Sequence, residues 1–317
     1  MRQTALFWLL ASLIVCSGDF LAAANFEVSQ EEDGVTVKLD GKLLTRYVVK
    51  SGSKPILWPL IGPTGDEITR QYPMRKALPS EKSDHVHHRS FWFTHGDVNG
   101  ISFWHEDPGK TGDIVHREFV KVSGGQQAQI ITRNDWIGPK KKRHCEDIRT
   151  LTFGVDNGNV WIDFDTTVTA SDGDATFGDT KEGCFGVRVA GTMKITSKLG
   201  GKIINSEGHT DAGAWGKAAA WCDYHGPVNG KHVGVAILNH PQSLRYPTHW
   251  HVRTYGLFTA NPFGLSYFEK KPRGTGDLVL KKGESFSLFY RVLLHKGDEK
   301  EGGVKAAFEK YAEMKKE

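Results

Sequence analysis

The residues best suited to chemistry are concentrated at positions 83–105, which read SDHVHHRSFWFTHGDVNGISFWH. Five of the 14 histidines of the chain lie in this stretch, namely His85, His87, His88, His95 and His105. Imidazole titrates near neutral pH, and it can donate or accept a hydrogen bond or bind a metal ion. Histidines beside aromatic and short polar residues therefore predict a site for a small polar ligand, a metal ion, or both.

A second candidate lies at positions 249–253, where His249, His251 and Arg253 alternate with Trp250 and Val252. On a β-strand, alternate side chains share one face. Three cationic or near-cationic groups in a row must meet water, an acid, a metal ion or an anionic ligand. A network of hydrogen-bonded structural histidines predicts the same pattern, so that alternative stays open.

Two carboxylates could complete such a site. Glu182 and Arg188 are six residues apart and would face the same side of a strand, where they could enter one cleft. An ordinary ion pair across the sheet predicts the same spacing. Asp223 and His225 likewise share a face if their strand extends that far.

These residue types favour a carbohydrate ligand. Four of the nine tryptophans, Trp92, Trp104, Trp221 and Trp250, lie in the candidate segments. Their flat apolar faces suit sugar rings, while arginine, aspartate, asparagine and histidine bind hydroxyl groups. Histidine near a carboxylate also suits general acid–base catalysis near neutral pH.

A metal centre is the competing interpretation. His87, His95, His249 and His251 could supply imidazole ligands, with Glu182 or Asp223 as oxygen ligands. The sequence has no HExxH, GxSxG, Walker or Rossmann glycine motif, so zincin, serine-hydrolase, P-loop and dinucleotide-binding interpretations are excluded. No cofactor is required by the sequence, and a divalent metal stays open.

The elements that must position these residues are strands. Alternating segments predict hairpins at 35–49, 114–136 and 148–169, and further strands at 185–196, 218–224, 232–239 and 285–294. Five prolines predict a long loop region with at most short strands at 53–82, and apolar spacing predicts one amphipathic helix at 303–315. We therefore expect an all-β fold, a large two-sheet antiparallel sandwich with one C-terminal amphipathic helix, as a single domain over 25–317.

The N-terminal residues predict export. A positive start, an apolar run and Ala22-Ala23-Ala24 indicate a signal peptide at 1–24 and a periplasmic or extracellular product. No other stretch approaches the ~20 apolar residues of a spanning helix, so no membrane association is expected after cleavage. A net charge of +4 does not indicate nucleic acid. Three cysteines remain, Cys145, Cys184 and Cys222, and we expect buried free thiols.

The longest motifs resemble those of a known family. They are His87–Phe93, His95–Gly100, Phe103-Trp104, Glu182-Gly183, Phe185-Gly186, Arg188, Asp223-Tyr224, His240-Pro241, Tyr246–Arg253 and Tyr255-Gly256. This set, which spans nearly all of the mature chain, resembles the PmoA-like domain family of secreted bacterial proteins, often labelled methane oxygenase. The subunit behind that label is a polytopic helical membrane protein, so the resemblance implies membership without methane oxidation.

The β pattern with inward histidines and a carboxylate also resembles the galactose mutarotase-like supersandwich. That resemblance implies a carboxylate base, Glu182 or Asp223, and a histidine acid, His88 or His251. We therefore expect an exported carbohydrate-active protein acting as an epimerase, lyase or hydrolase on a small-molecule or oligosaccharide ligand; a non-catalytic carbohydrate-binding protein and a metal-dependent enzyme are the alternatives. The expected substrate-binding residues are His87, Trp92, His95, Asn99, Trp104, Arg188, His249 and Arg253.

Overall fold

The computed structural model describes residues 24–316, and the predicted signal peptide lies outside them apart from Ala24. The described chain is mostly antiparallel β-structure, as predicted, with two eight-stranded sheets and a two-stranded ribbon. The first sheet contains, in spatial order, β1 (Phe26–Glu31), β2 (Gly34–Leu39), β3 (Lys42–Ser51), β4 (Lys54–Leu60), β5 (Phe91–His95), β11 (Gly183–Arg188), β16 (Leu257–Asn261) and β15 (His249–Val252).

The second sheet is built mainly from long hairpins. Its strands are, in spatial order, β12 (Lys202–Asn205), β13 (Trp221–Val228), β14 (Lys231–Asn239), β18 (Ser285–Lys296), β9 (Asn159–Thr169), β8 (Arg143–Asp156), β7 (Ala128–Ile137) and β6 (Asp113–Ser123). The ribbon pairs β10 (Ala175–Phe177) with β17 (Leu278–Leu280). The helical elements are α1 (Leu265–Phe268), α2 (Val304–Ala312) and two 3₁₀ turns, Ile195–Ser197 and Asp211–Ala214.

All three predicted hairpins are confirmed, because β2 pairs with β3, β6 with β7 and β8 with β9. In two of them the turn residues adopt a left-handed backbone. Asp40 and Gly41 join β2 to β3 with φ of 49° and 75°. Asn157 and Gly158 join β8 to β9 with φ of 51° and 77°. Positive φ at both central residues defines the tight turn whose twist matches that of the strands.

The core lies between the two sheets and is rich in aromatic residues. Phe93 of β5 contacts Trp136 of β7, with ring centroids 5.8 Å apart. Phe185 of β11 stacks on Tyr290 of β18 at 5.0 Å. These rings are almost fully buried. The free thiols Cys145, Cys184 and Cys222 are buried as well, as predicted.

The region at 53–82, predicted as a loop with at most short strands, contains the seven-residue strand β4. This strand accommodates Pro55 and Pro59 because neither proline is among the residues paired with β3 or β5. One local prediction is wrong. The strand predicted at 185–196 ends at Arg188, and a 3₁₀ turn occupies its last part.

The C-terminal helix is confirmed over Val304–Ala312. It buries Val304 and Tyr311 against Trp161 and Leu293, on the face of the second sheet that points away from the first. No helix within residues 24–316 has the length and apolar character needed to cross a bilayer.

One row of paired residues runs across the first sheet on the face opposite the core. Phe91 and Phe93 point into the core, so Trp92 between them points outward. Trp92 is paired with Gly186, Gly186 with Thr259, and Thr259 with His251. This row brings residues that are far apart in sequence onto one surface.

Candidate functional site

A polar cavity of about 210 Å³ lies on this outer face of the first sheet. Five of the predicted site residues, His87, His88, Glu182, His251 and Arg253, line it. They come from the loop before β5, the start of β11 and the end of β15. The remaining lining residues are His85, His105, Lys181, Tyr255 and Leu257.

Two predicted tryptophans support the cavity from below. Trp92 stacks on the ring of His88 with centroids 5.6 Å apart, and Trp104 meets His88 edge-on at 5.4 Å. Both indoles are buried together with Ile56 and Leu257. The tryptophans therefore hold His88 in one orientation, and they act as its support rather than as exposed faces of the cavity.

The environment of His88 fixes which of its nitrogens carries a proton. His88 is only 2% exposed, and a guanidinium N–H of Arg188 donates to its Nδ1 at 3.2 Å. Because arginine can only donate, Nδ1 must accept, and the proton of the neutral ring lies on Nε2. Burial, His87 and Arg188 together hold the pKa of His88 well below its usual range. His88 therefore presents a neutral N–H donor.

His251 has the opposite arrangement. Its Nδ1 donates to the carbonyl oxygen of Lys181 at 2.6 Å, so the lone pair of the neutral ring lies on Nε2. The ring is 4% exposed, and burial lowers the pKa of His251 to about 4. Within residues 24–316, its Nε2 makes no hydrogen bond, so His251 presents a neutral acceptor near neutral pH.

Glu182 supplies the carboxylate that lines this cavity. One of its oxygens pairs with Lys181, and the negative charge of Glu182 acts to raise the pKa of His251, against the larger effect of burial. A proton gained by His251 would therefore be stabilised by Glu182. On the other side, burial, Lys54 and His105 lower the pKa of His87 to about 3, so His87 is neutral near pH 7.

A second cavity, of about 280 Å³, adjoins the first. The two share His85 and Tyr255 in their linings. The predicted residue Arg188 lines the second cavity, where its guanidinium lies over the Tyr255 ring at 4.8 Å. Taken together, the two cavities reach the size usual for small-molecule sites, about 300–1,000 Å³.

Four predicted residues lie elsewhere. His95 is buried under the sheet, where its Nε2 donates to the carbonyl oxygen of Gly178 at 2.9 Å. Asn99 donates to the carbonyl oxygen of Asp174, accepts from the backbone N–H of Thr176 in β10, and bonds the ring of His144. The Nε2 of His249 lies 2.9 Å from Glu269. Asp223 lies on β13 of the second sheet, between His225 and His295.

These positions have a physical explanation. His249 and His251 do share the outer face of β15, as predicted, while Trp250 and Val252 enter the core. Phe268, however, stacks on His249 at 5.5 Å and contacts His251 edge-on at 6.2 Å, on the side where α1 covers the sheet. His249 is therefore separated from the cavity that His251 lines.

The four histidines proposed as metal ligands do not converge. Only His87 and His251 reach the same cavity. Among the described residues, the set of three possible metal ligands that come close together is Asp223, His225 and Glu299, each of which offers one ligand atom within 4.8 Å of the other two. This set could hold a metal ion on the second sheet, away from the cavity.

Several lining residues were not predicted as site residues. Lys181 and Tyr255 adjoin predicted positions, and His85 and His105 belong to the histidine-rich stretch. In the second cavity, Arg70 and Lys194 could not be identified as site residues from the sequence, because they lie in segments predicted as a loop and as a strand.

The family of the chain follows from its sequence. The model of DUF6807, a family of unknown function, matches residues 34–309, and the chain belongs to this family. The search of curated proteins finds no match.

Solved structures with similar folds include carbohydrate-active enzymes and mutarotase-like proteins. One is a polysaccharide lyase, with 14% identity, a TM-score of 0.34, and coverage of 87% of this chain and 33% of that one. Another is the GH36 α-galactosidase AgaA from Geobacillus stearothermophilus, with 11% identity, a TM-score of 0.40, and coverage of 86% and 41%. A galactose mutarotase-like protein from Lactobacillus casei has 10% identity, a TM-score of 0.34, and coverage of 85% and 100%.

This chain thus spans less than half the length of the first two proteins. At these identities and TM-scores, the likeness carries no argument about activity. A galactose mutarotase-like protein is among these structural neighbours, and the PmoA-like label stays a prediction.

Proposed function

We propose that this DUF6807 protein binds a sugar in the cavity lined by His88 and His251 and catalyses a proton transfer on it. The observation that carries the proposal is the pair of opposite tautomers in one cavity. His88 presents an Nε2–H donor, and His251 presents an Nε2 lone pair. A donor and an acceptor that are both neutral near pH 7 suit acid–base chemistry on hydroxyl-bearing carbon.

In the proposed reaction, His251 removes a proton from the sugar through Nε2. The sugar oxygen that gains negative charge accepts the hydrogen bond of the His88 Nε2–H. Glu182 stabilises the imidazolium of His251, which then returns the same proton at another atom of the sugar. The net result is an isomerisation, such as ring opening, which inverts the anomeric carbon when the ring closes again on its other face. The base is thus a histidine, and not the carboxylate that the mutarotase resemblance implies.

Glycoside hydrolysis is less well supported by this geometry. Most glycosidases use two carboxyl groups that flank the bond to be cleaved. In the first cavity, Glu182 is the one carboxylate contributed by the described residues. We therefore favour acid–base isomerisation over hydrolysis. Elimination, in which His251 would act as the same base, is a second reaction of the acid–base class.

The test is an NMR assay of the purified protein with a panel of mono- and oligosaccharides, following the anomeric protons. His251→Asn is the matched variant, because its side-chain amide can still donate to Lys181 but lacks Nε2. We expect its rate to fall by about 10²–10⁴-fold. His249→Gln, outside the cavity, should retain activity. Binding without turnover across the panel would instead identify a carbohydrate-binding protein.

Export belongs to the same proposal, since extracellular glycans are the substrates such a protein would meet. It rests on the signal-peptide pattern of residues 1–24. Expression of the full chain in a bacterium should give a periplasmic or extracellular product whose first residue is Asn25. A cytoplasmic product that retains Met1 would contradict export and leave the proposed chemistry untouched.

A further inference from the structure

The second cavity has an excess of positive charge. Its lining contains four cationic side chains, Arg70, Lys82, Arg188 and Lys194, against two carboxylates, Glu81 and Asp84. No step of the proton transfer proposed above takes place in this cavity. Its position beside the first cavity, across His85 and Tyr255, makes it a place for a substituent of the same ligand.

The two carboxylates are already engaged by other groups. Glu81 accepts hydrogen bonds from the backbone N–H groups of Gln71, Tyr72 and Leu78. Asp84 accepts a bond of 3.0 Å from Arg70 and lies 3.2 Å from Nδ1 of His85. They therefore hold the loop in place and only partly offset the charge of the cavity.

Arg70 is also fully engaged on its terminal nitrogens. It donates to the carbonyl oxygens of Lys82, Asp84, His85 and His88, in addition to the Asp84 carboxylate. Arg70 therefore holds the loop that carries the histidines in place. It is not available to bind a ligand.

Arg188 is different. It is 4% exposed, and the one hydrogen bond that its guanidinium makes within the described part of the chain goes to His88. The nearest carboxylate oxygen, on Asp84, lies 3.8 Å away. A buried guanidinium with five donors and so few acceptors carries a large desolvation cost, which an anionic ligand would offset.

Lys194 lies in the same lining and adds a second cation. Its Nζ donates to the carbonyl oxygen of Ser80 at 2.7 Å, which leaves its other two N–H groups. Burial and then the charge of Arg70 lower the pKa of Arg188 to about 10, and burial followed by Arg188 lowers the pKa of Lys194. The cations therefore repel one another when no anion is bound.

We infer that the second cavity binds a negatively charged substituent of the sugar, a carboxylate or a sulfate ester, through Arg188 and Lys194. The substrate class is thus an acidic saccharide, with its ring in the first cavity and its anionic group in the second. This inference rests on the proposed function for the location of the ring. Because Arg188 also donates to Nδ1 of His88, the same guanidinium would contact both the anion and the ring whose Nε2–H is the donor.

The test measures binding, so its outcome does not depend on turnover. Calorimetry would compare glucuronate- or galacturonate-containing oligosaccharides with their carboxyl-reduced counterparts, and sulfated oligosaccharides with their desulfated counterparts. We expect the acidic member of one pair to bind at least about tenfold more tightly. The pair that shows the preference identifies the anion. Equal affinity within both pairs, or no binding of any acidic member, would overturn the inference.

Two variants locate the effect. Arg188→Gln should abolish the preference for the acidic member, and Lys194→Gln should reduce it by about threefold or more. Lys202→Gln removes the same charge from an exposed position of β12 outside both linings and should change nothing. If Arg188→Gln does not fold, Lys194→Gln decides, since it leaves the bond to His88 intact. A preference that survives both substitutions would place the anion elsewhere.

The two proposals fail separately. Turnover of neutral sugars with equal affinity for acidic and neutral members would sustain the proposed function and overturn the acidic-saccharide inference. A clear preference for acidic members without turnover would sustain the acidic-saccharide inference and overturn the proposed function.

Discussion

A guanidinium N–H of Arg188 donates to Nδ1 of His88 at 3.2 Å. Arg188 lines the second cavity and His88 lines the first, so this bond links the two cavities. It also sets the protonation pattern of His88, because an arginine cannot accept a proton from the ring. The tautomer of His88 is therefore determined by a residue 100 positions further along the chain.

The two histidines should show opposite tautomers in solution. In protein with ¹⁵N-labelled histidine at pH 7, we expect His88 to carry its proton on Nε2 and His251 on Nδ1. The ¹⁵N shifts of the two ring nitrogens distinguish these forms, and His88→Gln and His251→Asn assign the signals. Two rings with the same tautomer, or a charged His88, would contradict the proposed roles.

The acidic limb of the pH–rate profile should lie near pH 4. His251 acts as a base only when neutral, and burial lowers its pKa to about 4. Activity should therefore be retained between pH 7 and pH 5 and fall as the pH decreases through about 4. The measurement is kcat/KM between pH 3.5 and 7 on the substrate found by the NMR panel. A limb near 6.5, the value of an unperturbed histidine, would indicate a solvent-exposed base.

Gly186→Ala should destabilise the protein. A Cβ at this position would lie 2.7 Å from Cγ2 of Thr259 and 2.9 Å from Cζ2 of Trp92. Overpacking of this kind reduces the free energy of unfolding by about 1–3 kcal/mol. Urea unfolding measures the effect. Gly173→Ala, where a Cβ has no neighbour within 4 Å, is the control and should show little change.

Acid should destabilise the protein through its buried neutral histidines. Burial lowers the pKa of His95 to about 4, whereas the unfolded chain has the ordinary value near 6.5. Between pH 6.5 and pH 4, the unfolded state binds a proton at His95 and the folded state does not. The contribution of neutral His95 to the free energy of unfolding is therefore complete above pH 6.5 and is lost as the pH falls toward 4. His88 and His251 act in the same direction, while the raised pKa of His295 acts in the opposite one.

The contribution of His95 can be measured separately. His95→Gln keeps an amide N–H for the carbonyl oxygen of Gly178 but does not titrate. The loss of unfolding free energy between pH 7 and pH 5, from urea titrations, should be smaller in this variant by about 2 kcal/mol. An unchanged pH dependence would mean that His95 is not held neutral by burial.

The sequence predicts the fold best where the signal is local. The hairpins at Asp40-Gly41 and Asn157-Gly158 follow from turn residues and alternating strands, both of which can be identified over a few positions. β4 could not be found in this way, because its prolines mimic a loop and its pairing with β3 and β5 is irregular.

The site was predictable in part. His87, His88, Glu182, His251 and Arg253 do meet, and they were chosen for their chemistry and alternation. His251 and His249 could not be distinguished from the sequence, since both face outward and it is the position of Phe268 that separates them. Asp223 had the right chemistry for the site but lies on the other sheet, and strand order across a sandwich is not a local property of the sequence.

Thr259 pairs with His251, and the length of the hairpin turn at 253–256 sets this register. The turn length therefore determines which side chain of β15 faces the cavity. In a strand, a slip of one residue turns every side chain to the opposite face. A single deletion in this turn would direct His251 toward the core and present Trp250 or Val252 to the cavity. Homologues that share the chemistry should therefore keep the length of this turn constant even where its residues vary, because an insertion or deletion there exchanges a reactive surface for an apolar one.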